Sequence, residues 1–134
     1  MPSLFDASAL ANLIIRRGQK ALGVTKGNFA LDLTGYETGN ALWRLCFLEK
    51  KITHEEADAF LSTVSGFLNL LQMISFAELD SKRILSLAIS KRLAFYDASY
   101  IAAAETKRLT LVTDDEALTK VAEEFVETKS STQV

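Results

Sequence analysis

Apolar and polar positions along the chain follow two periods in turn. Short runs bounded by turn residues predict strands at Ser3 to Asp6, Asn28 to Leu33, Gln72 to Ser75 and Leu109 to Thr113. A fifth, edge strand is predicted at Phe125 and Val126. Between them the period lengthens. Leu10, Leu13, Ile14 and Arg17 stand at i, i+3, i+4 and i+7, which predicts a helix from Ala7 to about Ala21. Thr34 opens a helix to about Lys51. Thr53-His54-Glu55-Glu56 is a capping box that opens another, to about Leu70. Further helices are expected over Leu79 to Arg92, Tyr96 to Lys107 and Asp114 to about Glu124.

Strands alternating with helices in so short a chain predict an α/β sandwich on a mostly parallel sheet. Residues 1–129 form one domain in this reading, and the Ser/Thr-rich tail 130–134 is expected to fray. No repeat, linker or low-complexity block interrupts the pattern.

Composition narrows the function. The 134 residues are 49% hydrophobic with net charge −2, which excludes disorder. No apolar run approaches the ~20 residues of a membrane span. Met1 to Asp6 has neither the basic flank nor the apolar stretch of a signal peptide. A lone cysteine, Cys46, cannot close an internal disulfide and suits a reducing cytoplasm. With one cysteine and one histidine, His54, a structural zinc site is excluded. Charge is uneven: residues 1–51 carry seven Lys/Arg against four Asp/Glu, and the remainder eight against thirteen. A simple basic nucleic-acid surface is therefore not expected, and a bound cation would be needed to meet a polyanion.

Ligands of such folds bind beyond the carboxyl ends of the strands. Asp6 ends the first strand, Glu37 follows the second and Asp115 follows Val112-Thr113. Asp97 begins a helix that returns to the last confident strand, so it reaches the same edge. Each acid also has a local reading as a helix cap or a dipole-favoured first-turn residue. Thr34-x-x-Glu37 and Thr113-x-x-Glu116 have the capping-box spacing. Four neighbouring carboxylates repel one another unless something compensates, and Mg²⁺ or Mn²⁺ is the cation whose preference for oxygen fits them.

These segments resemble a family. Leu4-Phe5-Asp6-Ala7-Ser8-Ala9-Leu10 looks like the opening motif of PIN-domain ribonucleases, and Tyr36-Glu37-Thr38-Gly39-Asn40 resembles their E-x-x-N helix start. Tyr96-Asp97-Ala98-Ser99-Tyr100 and Leu111-Val112-Thr113-Asp114-Asp115 are similar to their third and fourth motifs. Order and spacing fit across the chain, and the compact form is most similar to VapC toxins of toxin–antitoxin pairs. The resemblance implies a three-layer α/β/α sandwich with a five-stranded parallel sheet. It implies Mg²⁺- or Mn²⁺-dependent cleavage of RNA to a 5′-phosphate and a 3′-hydroxyl. It also implies an antitoxin partner and a homodimer, and Asp6, Glu37, Asp97 and Asp115 as the acids. Asp114 adjoins Asp115, and the motif register favours Asp115.

Ser8, Thr113 and Asn40 are candidates to orient a carboxylate or a water, with Asp114 beside them; local capping is the alternative for each. Arg16, Arg17, Lys20 and Lys26 are either phosphate contacts or a solvated face. Arg44 shares a helix face with Glu37. Cys46, Trp43 and Phe47 are expected in the core. The apolar stretch Phe60 to Leu71 is either core or a surface for a dimer or an antitoxin helix. Three rival functions are weighed. A phosphoacceptor domain would want an aspartate where Ser75 stands, and a haloacid-dehalogenase-like phosphatase would want an acid where Ser8 stands. The third, a non-catalytic PIN-like scaffold, would not need the acids.

Overall fold

The computed structural model describes all residues 1–134. Five strands form one parallel sheet: β1 (Ser3–Phe5), β2 (Phe29–Leu31), β3 (Gln72–Ile74), β4 (Thr110–Val112) and β5 (Thr128–Lys129). Their order is β3-β2-β1-β4-β5. Leu4 pairs with Leu111 and Phe5 with Val112, which puts β1 and β4 side by side at the centre. Six helices accompany them: α1 (Ala7–Arg17), α2 (Asp32–Trp43), α3 (His54–Leu70), α4 (Ser81–Lys91), α5 (Phe95–Lys107) and α6 (Glu116–Ala122).

Successive strand residues point to opposite faces, and the core divides accordingly. Leu4, Leu31, Ile74 and Leu111 pack with Ile84 and Leu87 of α4 and the alanine-rich α5. Phe5, Ala30 and Val112 face the other way, against Leu10, Leu13 and Ile14 of α1 and Val64 and Phe67 of α3. Two buried clusters on two faces make three layers. Because both faces are covered, the inner strands β1, β2 and β4 are buried along nearly their whole length rather than at alternate positions. No helix is long and apolar enough to cross a membrane.

The chain builds β1, β2 and β3 on one side and then crosses to β4 on the other side of β1. The strand order therefore reverses between β1 and β4, and the crevice of such a sheet opens beyond their carboxyl ends. The residues following these two strands are Asp6 and Thr113-Asp114-Asp115.

Several elements differ from the expectation. Helix α1 ends at Arg17 because Gly18 takes φ +53°, and the chain continues as a 3₁₀ segment to Val24. Helix α2 starts at Asp32 and passes into a π turn at Arg44–Leu48. Thr34 does not serve as its N-cap; its hydroxyl accepts from the Leu31 N–H at 3.2 Å. The Thr53 capping box forms reciprocally, at 3.1 and 3.0 Å. The last strand lies at Thr128–Lys129, three residues beyond the expected position, since Phe125 and Val126 instead pack onto the core.

The terminal residues 130–134, expected to fray, lie against the domain. Ser131 is buried in a short 3₁₀ turn. Its N–H and hydroxyl donate to the Asp114 carboxylate, at 2.7 Å for the N–H. Arg16 donates to the Ser131 hydroxyl at 2.8 Å, and Arg17 to the Val134 carbonyl at 2.7 Å. The sequence does not announce these contacts, because their partners lie 17 to 117 residues apart.

Candidate functional site

Asp6 directly follows β1 and caps α1. Its Oδ1 accepts from the Ala9 N–H at 2.9 Å and from the Ser8 hydroxyl at 2.8 Å. Its Oδ2 accepts from the Thr113 hydroxyl. The side chain is therefore a cap and a fixed carboxylate at once. Ser8 and Thr113 are in turn held by the loop after β4: Ser8 Oγ accepts from the Asp114 N–H and Thr113 Oγ1 from the Asp115 N–H, both at 3.1 Å. Thr113 is thus not the head of a capping box with Glu116. The orientation of Asp6 is set jointly by the ends of the two central strands.

Glu37 enters from α2. Its Oε1 accepts from the Tyr100 hydroxyl at 2.7 Å, and that hydroxyl shares a 2.8 Å bond with Thr34. Asp97 enters from the first turn of α5 and receives no hydrogen bond from the protein. Asp115 caps α6, accepting from the Leu118 N–H at 3.1 Å. All four line one cavity of about 320 Å³, together with Ser8, Asn12 and Tyr100. None of the four pairs with a lysine or arginine.

Burial and mutual repulsion raise the proton affinity here. Burial lifts the Asp6 carboxyl above its ordinary range, helped by the charge of Asp114 and opposed by its three donors. Burial also lifts Glu37, with Asp6 and Asp97 adding to the shift and the Tyr100 hydroxyl opposing it. Asp97 is raised by burial and then by Asp115. The Tyr100 phenol is pushed far up by burial and by Glu37, so it stays a donor.

The donor set is one that a hard cation takes: carboxylate and hydroxyl oxygens without histidine or thiol. No three of the acids stand close enough to grip a single ion together. An ion here would meet at most two of them directly and keep water on its other positions. Asp6, Glu37, Asp97 and Asp115 are the candidates, directly or through water.

Asp114 stands apart. It accepts from Asn12 at 2.8 Å and from Ser131, and these bonds hold its carboxyl below the usual range. It anchors the C-terminal turn, whereas Asp115 lines the cavity. Asn40 is exposed and does not reach the cavity, since three residues turn it off the Glu37 face. Arg16 and Arg17 are engaged with the C-terminal turn, while Lys20 and Lys26 are exposed. Trp43 and Phe47 are 50% and 65% exposed, not core residues, and Cys46 is half-buried. Of the Phe60 to Leu71 stretch, Val64, Phe67 and Leu71 are core, and Phe60 lines a larger apolar groove between α1, α2 and α3.

The sequence does not single out Tyr100 or Asn12, and it marks Thr34 only as a helix cap. The one available signal was spacing: Tyr100 lies one turn after Asp97 and interrupts an alanine-rich helix.

Comparison with known proteins gives a consistent answer. Residues 4–124 match the PIN domain family model. The chain is 32% identical to "Ribonuclease VapC3" of Pyrobaculum aerophilum, over 93% of this chain and 95% of that one. It is 36% identical to "Exonuclease VapC9" of the same organism, over 86% and 81%. The crystal structure of PAE2754 from Pyrobaculum aerophilum superposes with a TM-score of 0.80 at 29% identity, covering 99% of this chain and 92% of that one.

Proposed function

Because the chain belongs to the PIN domain family, we propose that its four-acid cavity is the active centre of a Mg²⁺- or Mn²⁺-dependent endoribonuclease, the toxin of a VapBC-type pair. One observation carries the reading: four carboxylates from four separate segments share a cavity at the carboxyl edge of the sheet with no basic partner. When bound, a divalent cation supplies neutralisation of the phosphodiester's charge and a water acidic enough to attack phosphorus. Asp6 offers a carboxylate that its three donors hold still, so little ordering remains when the cation arrives. Asp97 keeps all its lone pairs free, and Glu37 keeps Oε2 free because only Oε1 meets Tyr100. Both acids have raised proton affinity, which suits them to take up the proton of the attacking water. The leaving group is the 3′-oxygen, so the products carry a 5′-phosphate and a 3′-hydroxyl.

The antitoxin's place is the apolar groove of about 660 Å³ beside the cavity, lined by Ile14, Ile15, Leu42, Leu45, Ile52 and Phe60. Ala11 and Ala41 line both, so an amphipathic helix seated there reaches the acids. The exposed Leu85 and Ile89, one turn apart on α4, support a homodimer. Free Cys46 suits action in the reducing cytoplasm.

One relative bears the name ribonuclease and the other exonuclease, so the test uses a covalently closed RNA circle. The wild-type chain should open the circle in Mg²⁺ or Mn²⁺, and neither Asp97→Asn nor wild type in EDTA should do so. Degradation of linear RNA with the circle intact would replace endonucleolytic by exonucleolytic action. Failure on both substrates would overturn the nuclease reading.

A further inference from the structure

Helix α2 presents three faces. Glu37 and Ala41 line the acid cavity, while Thr38 and Leu42 turn inward toward the apolar groove. On the remaining side stand Tyr36, Asn40, Trp43 and Phe47, at i, i+4, i+7 and i+11. At about 100° per residue Tyr36, Asn40 and Trp43 form one stripe, roughly a quarter turn from Glu37, and Phe47, in the π turn that follows, joins it through its ring contact with Trp43. Tyr36 is 82% exposed. The rings of Trp43 and Phe47 lie parallel within 13°, with centroids 5.6 Å apart. Asn40, between the aromatics, is exposed and has no hydrogen-bond partner in the protein. Arg44, next to Trp43 at the start of the π turn, flanks the stripe as an exposed cation without an ion-pair partner.

Exposed aromatics scattered singly are ordinary, but rings grouped on one face, as Trp43 and Phe47 are, mark a contact surface. A protein helix has its own apolar groove on the far side of α2. This stripe differs in kind: flat rings, a free amide and a free cation, beginning one residue from Glu37. Rings stack on unpaired bases whatever their identity, an amide can read a base edge, and cations meet phosphates.

We propose that Tyr36, Trp43 and Phe47 form a stacking platform for unpaired bases of the RNA strand that leaves the acid cavity, with Arg44 on its phosphates. The inference rests on the ribonuclease reading and names the form of the substrate: single-stranded next to the scissile bond. Asn40 lies off the catalytic cavity but on this platform, where its amide meets a base edge.

Trp43 is the sole tryptophan, so its fluorescence reports the platform directly. The full-length Asp97→Asn chain is titrated in Mg²⁺ with an unstructured 12-nucleotide RNA and with the same sequence as a duplex. The single strand should quench Trp43 and the duplex should not. In the otherwise wild-type chain, Trp43→Ala and Phe47→Ala should each raise KM for single-stranded RNA by about 5–100-fold, with kcat little changed. Trp43→Phe should recover most of the loss, because it keeps a stacking ring. Circular dichroism melting checks that each variant is folded, and both positions are exposed enough to tolerate truncation. Unchanged fluorescence and KM, with wild-type cleavage intact, would overturn the platform and leave the nuclease standing. Quenching without cleavage by the wild type would overturn the nuclease reading and keep the platform as an RNA-binding surface. A wild-type dimer that becomes a monomer on Trp43→Ala, with KM for single strands unaltered, would assign the stripe to contact between copies and overturn the proposal. Stripe variants that keep their KM but lose inhibition by a purified antitoxin would assign it to that protein and overturn the proposal equally.

Discussion

Tyr100→Phe removes one oxygen atom from the site and leaves the packing of a fully buried ring almost unchanged. The lost hydroxyl donates to Glu37 Oε1 at 2.7 Å and is within 2.8 Å of Thr34. That bond favours the ionised carboxylate, against burial and the charges of Asp6 and Asp97. A hydrogen bond to a charged group contributes about 1.5–3 kcal/mol, and the half-buried position of Glu37 puts it at the low end. About 1.4 kcal/mol corresponds to one pH unit. Glu37 should therefore hold its proton to a pH about one unit higher in the variant. The assay is kcat/KM against pH for both proteins at one subsaturating Mg²⁺ concentration. The acid limb should move about one unit to higher pH, with the plateau nearly recovered above it. More metal should be needed at neutral pH, since the proton competes for the same oxygen atoms. An acid limb that stays in place would refute the assignment of Glu37 as the ionised partner of Tyr100. A uniform loss at all pH values, tracking a lowered melting temperature, would make the contact structural.

Asp6→Asn should abolish detectable cleavage while the protein folds, because the amide oxygen can still accept from the Ala9 N–H; a collapsed melting curve would instead mark Asp6 as a structural cap. Metal-free stability should respond to the raised carboxyls of Asp6, Glu37 and Asp97, which bind more protons folded than unfolded. Their contribution is greatest at low pH and is lost as pH rises from the ordinary carboxylate range through the raised values, so denaturant melts there should show it declining; Asp114, with a lowered carboxyl, acts oppositely over a lower range. Mg²⁺ or Mn²⁺ should raise the melting temperature, and calorimetry in two buffers near the raised values should show protons released on binding; no heat at millimolar Mn²⁺ would remove the metal site. Deleting residues 130–134 removes the Ser131 bonds to Asp114 and the Arg16 and Arg17 contacts, and should cost about 1–3 kcal/mol in urea unfolding. An unchanged unfolding midpoint would show the turn to be dispensable.

Three of the candidate acids are legible because each sits near an element boundary that the sequence marks by itself; Glu37, the sixth residue of α2, is legible only through its motif. Asp6 follows Leu4-Phe5, Asp115 follows the run through Val112, and Asp97 heads an alanine-rich helix. Boundaries set by conformational detail were less legible. Arg92 and Arg108 end α4 and α5 in the left-handed region without a glycine to announce it. Phe125 and Val126 look like a strand by propensity, yet they serve the core better as packing residues, and pairing passes to Thr128–Lys129. Trp43 and Phe47 look like core by composition, and only the rotation of α2 shows them exposed.

The order of elements, their parallel pairing and the edge at which the acids gather follow from periodicity and the right-handed βαβ connection, which are local and chiral rules that a sequence carries within a few residues. What each acid touches does not. That Asp6 is fixed by Thr113, that Tyr100 spans from α5 to Glu37 on α2, and that Asp114 holds the chain's last turn while Asp115 faces the cavity are contacts between residues 17 to 107 positions apart. Such contacts depend on ångström-scale placement of packed layers, because a hydrogen bond is made or lost within about half an ångström. Periodicity determines which face a residue occupies; only the packed structure decides its distance to a partner.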